Sequence, residues 1–131
     1  LRPLDAGRTM AELAERMVDA MMGPGPDPAG RALAIAAMAA TPERTYRAAV
    51  QCLIGFDERA NLARIRIPVL CLAGQYDRNA PAAMMARMAA KIPGARYVCL
   101  ENVGHLANVE APAMFDAAVL GFIRQVVADA A

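Results

Sequence analysis

The 131-residue chain has no serine and no tryptophan, and its one histidine is His105. Without serine, a complete serine-based triad cannot be assembled from these residues alone. One histidine and three scattered cysteines, Cys52, Cys71 and Cys99, supply no ligand set at metal-site spacing, so neither a metal nor a cofactor is expected. The odd cysteine number, with each residue in an apolar helix or strand context, reads as reduced, buried small hydrophobes and favours a cytoplasmic protein. No apolar run approaches the ~20 residues that cross a bilayer. The N-terminus lacks the charged, apolar and small-residue succession of a secretion signal, although the chain opens at Leu1 rather than methionine. Fourteen basic and thirteen acidic residues leave a net charge of +1 with no run of one sign. Neither nucleic acid nor a membrane surface is therefore an expected partner.

Apolar residues make up 57% of the chain without counting glycine, above the ~45–50% of ordinary domains with glycine included, so there is core to bury. Residues 9–22 carry Met10, Leu13, Ala14, Met17, Val18 and Met21 at helical spacing, behind a Thr9/Glu12 capping box. A Gly-Pro run ends that helix. A second is predicted from Asp27 as N-cap to about Ala40, and a third from Thr41 as N-cap to Gly55, with Asp57 capping a turn or two that reach Arg64. From Ile65 the pattern turns to strand, helix, strand, helix: Ile67–Ala73, Pro81–Ile92 with Asn79 as cap, Arg96–Leu100, and Pro112 to about Val127. The last helix carries Phe115, Ala118, Val119, Phe122, Ile123 and Val126 as its apolar stripe.

These elements specify an α/β chain with a helical segment over residues 1–56 and a parallel β-α-β-α unit over 57–131. Two parallel strands do not make a self-sufficient sheet, because the outer edges leave backbone donors and acceptors unpaired. The expected remedies are self-association through an edge, or pairing with an N-terminal half of which this chain is the C-terminal portion.

Two chemically capable residues follow the two strands: Asp77 after the first and His105, 28 positions later, after the second. An acid and an imidazole on loops past the C-terminal ends of parallel strands share one sheet edge, where they can activate a hydroxyl nucleophile. Gly104 permits close backbone approach beside His105. The residues alone leave Asp77 open between that role, a pair with Arg78, and a turn-former ahead of the helix. Asn102, Asn108 and Glu110 flank His105 and read as turn and cap residues. Asp57 and Glu58 read as helix-start acids, and methionines 10, 17, 21, 22, 38, 84, 85 and 88 as packing rather than the lining of a substrate channel.

Three stretches, Ile67-Pro68-Val69-Leu70-Cys71-Leu72-Ala73-Gly74-Gln75-Tyr76-Asp77, Ile92-Pro93-Gly94-Ala95-Arg96 and Val103-Gly104-His105 through Pro112 with Phe115, together resemble the last third of α/β-hydrolase-fold enzymes, in particular 3-oxoadipate enol-lactonase-like and esterase-like members. The resemblance is close from about Asp57 to Val127, and residues 1–55 loosely resemble the helical cap of such enzymes. It implies Asp77 as triad acid, His105 as triad base and a carboxylic ester, lactone or related carbonyl compound as substrate. The chain departs from the family where the nucleophile should be: it has neither Gly-x-Ser-x-Gly nor a Gly-x-Cys-x-Gly substitute. The isolated chain is accordingly expected to be catalytically silent. A truncated, non-catalytic module that binds itself or a partner through a strand edge is the competing expectation.

Overall fold

A computed structural model describes residues 1–130. Four helices come first: α1 (Arg2–Asp5), α2 (Met10–Asp19), α3 (Pro28–Ala40) and α4 (Glu43–Ile54). A 3-10 helix, Arg59–Arg64, leads to β1 (Leu70–Gly74), α5 (Ala82–Ala89), β2 (Arg96–Leu100), α6 (Ala107–Glu110) and α7 (Pro112–Asp129). Among the described residues the sheet has two strands, β1 and β2, paired in parallel with Leu70 opposite Arg96 and Gly74 opposite Leu100. The α/β expectation therefore holds, with both post-strand loops at one end of the sheet.

Local chemistry sets most of the boundaries. The Thr9 hydroxyl accepts from the Glu12 amide at 3.2 Å while the Glu12 carboxylate accepts from the Thr9 amide at 2.7 Å, closing the capping box of α2. Asp27 accepts from the Gly30 amide at 2.7 Å, starting α3. Thr41 does not cap α4. Its hydroxyl donates to the Ala37 carbonyl at 2.9 Å and so ends α3, leaving Pro42 in the N-cap place of α4 without a side-chain cap. Asn79 does not cap α5 either: its backbone N–H belongs to the turn that Asp77 holds, the helix starts further on, and Pro81 occupies the N-cap place without a side-chain cap. The first strand begins at Leu70 rather than Ile67, where Pro68 has no N–H for a ladder and Ile67 lies exposed.

Three apolar clusters hold the chain. Leu4, Met10 and Leu13 pack with Met17, Met38 and Tyr46 between the first helices, where Arg31 of α3 also pairs with Asp19 and Glu15 of α2. Cys71, Ala89 and Ile92 join Val69, Met85 and Met88 where α5 lies on one face of β1. Leu100, Val103 and Ala107 join Leu72, Val98, Phe115 and Ala118 where α7 covers the other face. Five of the eight methionines singled out above, Met10, Met17, Met38, Met85 and Met88, thus serve as packing, as the spacing predicts. The α7 stripe is half-buried except at Ile123, which is exposed.

Only one cysteine follows the sequence expectation. Cys71 is buried, whereas Cys52 and Cys99 are exposed. Cys99 shares with Tyr97 the face of the sheet that α5 buries over β1 but leaves exposed over β2, and Cys52 lies on α4, which buries no residue fully. Leu53, Ile54, Phe56 and Ile67 are also more than 70% exposed, a run of uncovered apolar surface around the junction between α4 and β1.

Candidate active site

Both loops that follow the strands are stitched to each other. Gln75 N–H donates to the Leu100 carbonyl at 2.9 Å, Tyr76 N–H to the Val103 carbonyl at 2.8 Å, and Asn102 N–H to the Gln75 side-chain oxygen at 2.9 Å. Asn102 turns the chain with a positive φ of 59°, a conformation that asparagine tolerates better than most residues. This turn delivers His105 to the end of β1, where Asp77 waits.

Asp77 Oδ2 lies 2.8 Å from His105 Nδ1. The other carboxylate oxygen of Asp77 accepts from the Asn79 and Ala80 amides at 2.8 and 2.9 Å, so the acid also forms the turn that the sequence left as an alternative to the triad role. Its side chain is 7% exposed against 38% for His105. Burial by itself pushes the Asp77 carboxyl up, but the Ala80 amide, the His105 ring and the Asn79 amide outweigh it and hold the group below the usual carboxylate range. An ionised carboxylate only accepts hydrogen bonds, so Nδ1 carries a proton, and in the neutral ring Nε2 is then the nitrogen that keeps its lone pair. Among the described residues no partner occupies Nε2. An imidazole locked in this tautomer, with its free nitrogen partly open, is arranged to accept a proton from a hydroxyl.

The sequence pattern makes Glu110 a cap or turn residue, and the structure gives it more. It is 4% exposed. Its Oε2 accepts from the Gly23 and Gly104 amides at 2.7 and 2.8 Å, and its Oε1 accepts from the Leu106 amide at 2.8 Å. His105 N–H donates to the Met21 carbonyl at 2.7 Å, so the segment joining α2 to α3 also reaches the histidine loop. A Cβ on Gly104 would overlap the backbone of Met21, Met22 and Gly23, which explains the glycine beside His105 by close approach rather than by an unusual φ. The sequence signal for Glu110 was faint: an acid at the C-terminal end of a short helix, where the helix dipole disfavours it.

Asn108 is exposed, and Asp57 and Glu58 lie at the 3-10 helix, where Asp57 is paired with Arg59. Among the described residues no three His, Cys, Asp or Glu side chains gather as metal ligands, and no helix is long and apolar enough to cross a membrane. Burial pushes the Cys71 thiol up, away from a reactive thiolate.

No family model matches the chain. A protein named carbamate hydrolase RutD from Pseudomonas savastanoi pv. phaseolicola is 36% identical over 75 residues, which are 57% of this chain and 29% of that protein. Rhodomycin D methylesterase of Streptomyces sp. strain C5 is 48% identical over 46 residues, 35% of this chain and 15% of the esterase. Among solved structures, the enol-lactonase from Burkholderia xenovorans LB400 has a TM-score of 0.80 at 25% identity, covering 88% of this chain and 45% of the lactonase chain. A hydrolase from Pseudomonas aeruginosa PA01 has a TM-score of 0.76 at 34% identity, with 88% and 44% covered. The chain thus corresponds to less than half the length of the proteins it matches.

Proposed function

Because this chain has the fold of the C-terminal part of an α/β hydrolase, we propose that it supplies the acid and base, Asp77 and His105, of a nucleophile-His-Asp triad in a hydrolase of carboxylic esters, lactones or related carbonyl compounds. The observation that carries the reading is the 2.8 Å Asp77–His105 hydrogen bond at the C-terminal rim of two parallel strands, with Nε2 unpartnered. Hydrolases among the matched proteins, including an esterase and an enol-lactonase, support the substrate class. In the reaction, His105 Nε2 takes the proton of an attacking hydroxyl and later returns one to the leaving group, while the Asp77 carboxylate holds the tautomer and stabilises the imidazolium. The hydroxyl and the oxyanion-hole amides come from an N-terminal α/β portion whose strand pairs with the free edge of β1, since the chain itself has no serine. In this arrangement residues 1–56 form a helical cap-like segment, and the chain alone is catalytically silent.

The test joins a nucleophile-bearing N-terminal portion, taken from the Burkholderia xenovorans enol-lactonase, to this chain by fusion or by mixing. Hydrolysis of a generic aryl ester is expected from the combination and not from the chain alone, with a loss of about 10³-fold or more on His105→Ala. Activity of the combination that survives His105→Ala refutes the assigned base. The exposed Leu53, Ile54, Phe56 and Ile67 favour a second reading, a non-catalytic module that self-associates through the β1 edge. Sedimentation of the isolated chain separates the two: a monodisperse monomer removes the second reading.

A further inference from the structure

Two parts of the chain far apart in sequence meet at one buried carboxylate. Glu110 holds the amide of Gly23, 87 residues away, together with the amides of Gly104 and Leu106, which flank His105 on either side. The Glu110 main-chain carbonyl also accepts from the Asp27 amide at 2.9 Å, and the His105 amide donates to the Met21 carbonyl. A carboxylate this deeply buried is tolerable only when its oxygens are satisfied, and here three N–H groups converge on two oxygens. Conversely, those three amides have no other hydrogen-bond partner among the described residues, so removing the acceptor strands all of them together.

From this convergence we infer that Glu110 is the positioning residue of His105, fixing the backbone on both sides of the imidazole and tying it to the Met21–Asp27 connector between α2 and α3. Asp77 orients the ring through its side chain, whereas Glu110 orients the segment that carries it. The connector cannot shift without moving His105, which makes the helical segment a determinant of the base's geometry. A glutamine at this position keeps the size of the side chain but turns one oxygen into an N–H₂ group that faces at least one of the three amides, donor against donor.

The inference rests on His105 being the base, but its test needs no nucleophile, because the lone histidine gives a single, unambiguous imidazole signal in the ¹⁵N-histidine-labelled chain. In the unsubstituted protein the Nδ1–H tautomer dominates, and the Gly23, Gly104 and Leu106 amides exchange with solvent as one group. Glu110→Gln is expected to speed exchange of all three by about tenfold and to shift the tautomer ratio toward Nε2–H by a similar factor. Glu101→Gln, an exposed carboxylate on the same loop, changes neither. A Glu110 with a merely structural role lowers the melting temperature and leaves the tautomer ratio alone. A folded Glu110→Gln chain, judged by unchanged exchange in β1 and β2, that keeps the original tautomer ratio overturns the inference. Should the variant not fold, exchange in the unsubstituted chain decides: a shared protection level for the three amides supports the inference, and three unrelated rates overturn it. An ester assay that fails while these signals behave as expected sinks the hydrolase reading and leaves the positioning role standing.

Discussion

Asp77→Asn isolates what the Asp77–His105 hydrogen bond does, because the structure dictates which way the new amide must face. Oδ1 of Asp77 accepts from the Asn79 and Ala80 amides at 2.8 and 2.9 Å, and only the oxygen of an asparagine side chain can take that place. The NH₂ group therefore falls where Oδ2 was, 2.8 Å from His105 Nδ1. It donates toward Nδ1, which must then be unprotonated, and the ring proton moves to Nε2. Escape by flipping the amide sets NH₂ against two backbone N–H groups. At about 1 kcal/mol for each donor left unpaired, the low end of the usual range, the flip costs about 2 kcal/mol. That holds the flipped form to about one part in thirty.

The expected result is an inverted imidazole with the fold preserved. Long-range ¹H–¹⁵N spectra of the histidine-labelled chain should change from a protonated Nδ1 to a protonated Nε2, with the resonances of β1 and β2 in place. In an enzyme completed by a nucleophile, the wrong tautomer blocks proton transfer from the hydroxyl, and the serine-protease template sets the loss at about 10⁴-fold in kcat. If Nδ1–H stays dominant in Asp77→Asn, the orienting role assigned to the carboxylate is refuted, whatever the activity.

Acid should weaken the same contact. The Asp77 carboxyl is held below its ordinary value by the Ala80 and Asn79 amides and the His105 ring, against the opposing push of burial, so its stabilising contribution is complete above the unfolded value of about 4 and is lost as pH falls through the depressed folded value. Urea midpoints of the unsubstituted chain and of Asp77→Asn should differ near neutrality and converge at low pH, and a constant difference down to that limit counts against the linkage. Gly104→Ala should destabilise by about 1–3 kcal/mol or more, because the added Cβ meets backbone that cannot swing aside, 2.5 Å from the Gly23 nitrogen and 2.6 Å from the Met22 carbonyl carbon. An unchanged urea midpoint removes the close-approach argument. Cys52 and Cys99 should react with an aromatic disulfide reagent in the native chain and Cys71 only on unfolding, a count of two thiols and then three. A native count of zero restores the buried reading of the exposed pair, and a count of one restores it for one of the two.

What the sequence made legible was whatever local chemistry decides. The capping box at Thr9 and Glu12, the Asp27 cap and the switch from helical to strand periodicity near Ile65 are encoded within a few residues of where they act. Local pattern misleads where a neighbouring turn or carbonyl competes for the same short polar segment. Thr41 reads as the start of α4, but its hydroxyl bonds the Ala37 carbonyl one turn back, and Asn79 reads as the cap of α5, but it falls inside the turn that Asp77 holds, and Pro81 takes the N-cap place. The cysteines failed for a different reason. An apolar neighbourhood in sequence says that a strand is buried on average, but β2 is covered unevenly, and the face carrying Tyr97 and Cys99 lies toward solvent.

The same distinction governs the site. Asp77 and His105 were visible because each follows a strand, and parallel strands place their C-terminal ends together whatever the intervening sequence. The contacts of Glu110 were not, because they depend on where Gly23, 87 residues away, ends up. A contact between a loop and a helix connector from the opposite end of the chain is fixed by packing of α3 against α6, not by any periodicity. A histidine placed by topology, whose loop is held by a long-range polar contact, has its position written in the local pattern and its surroundings written in tertiary structure. That division is why the meeting of Asp77 and His105 is legible in the sequence, whereas the contacts of Glu110 emerge only from the fold.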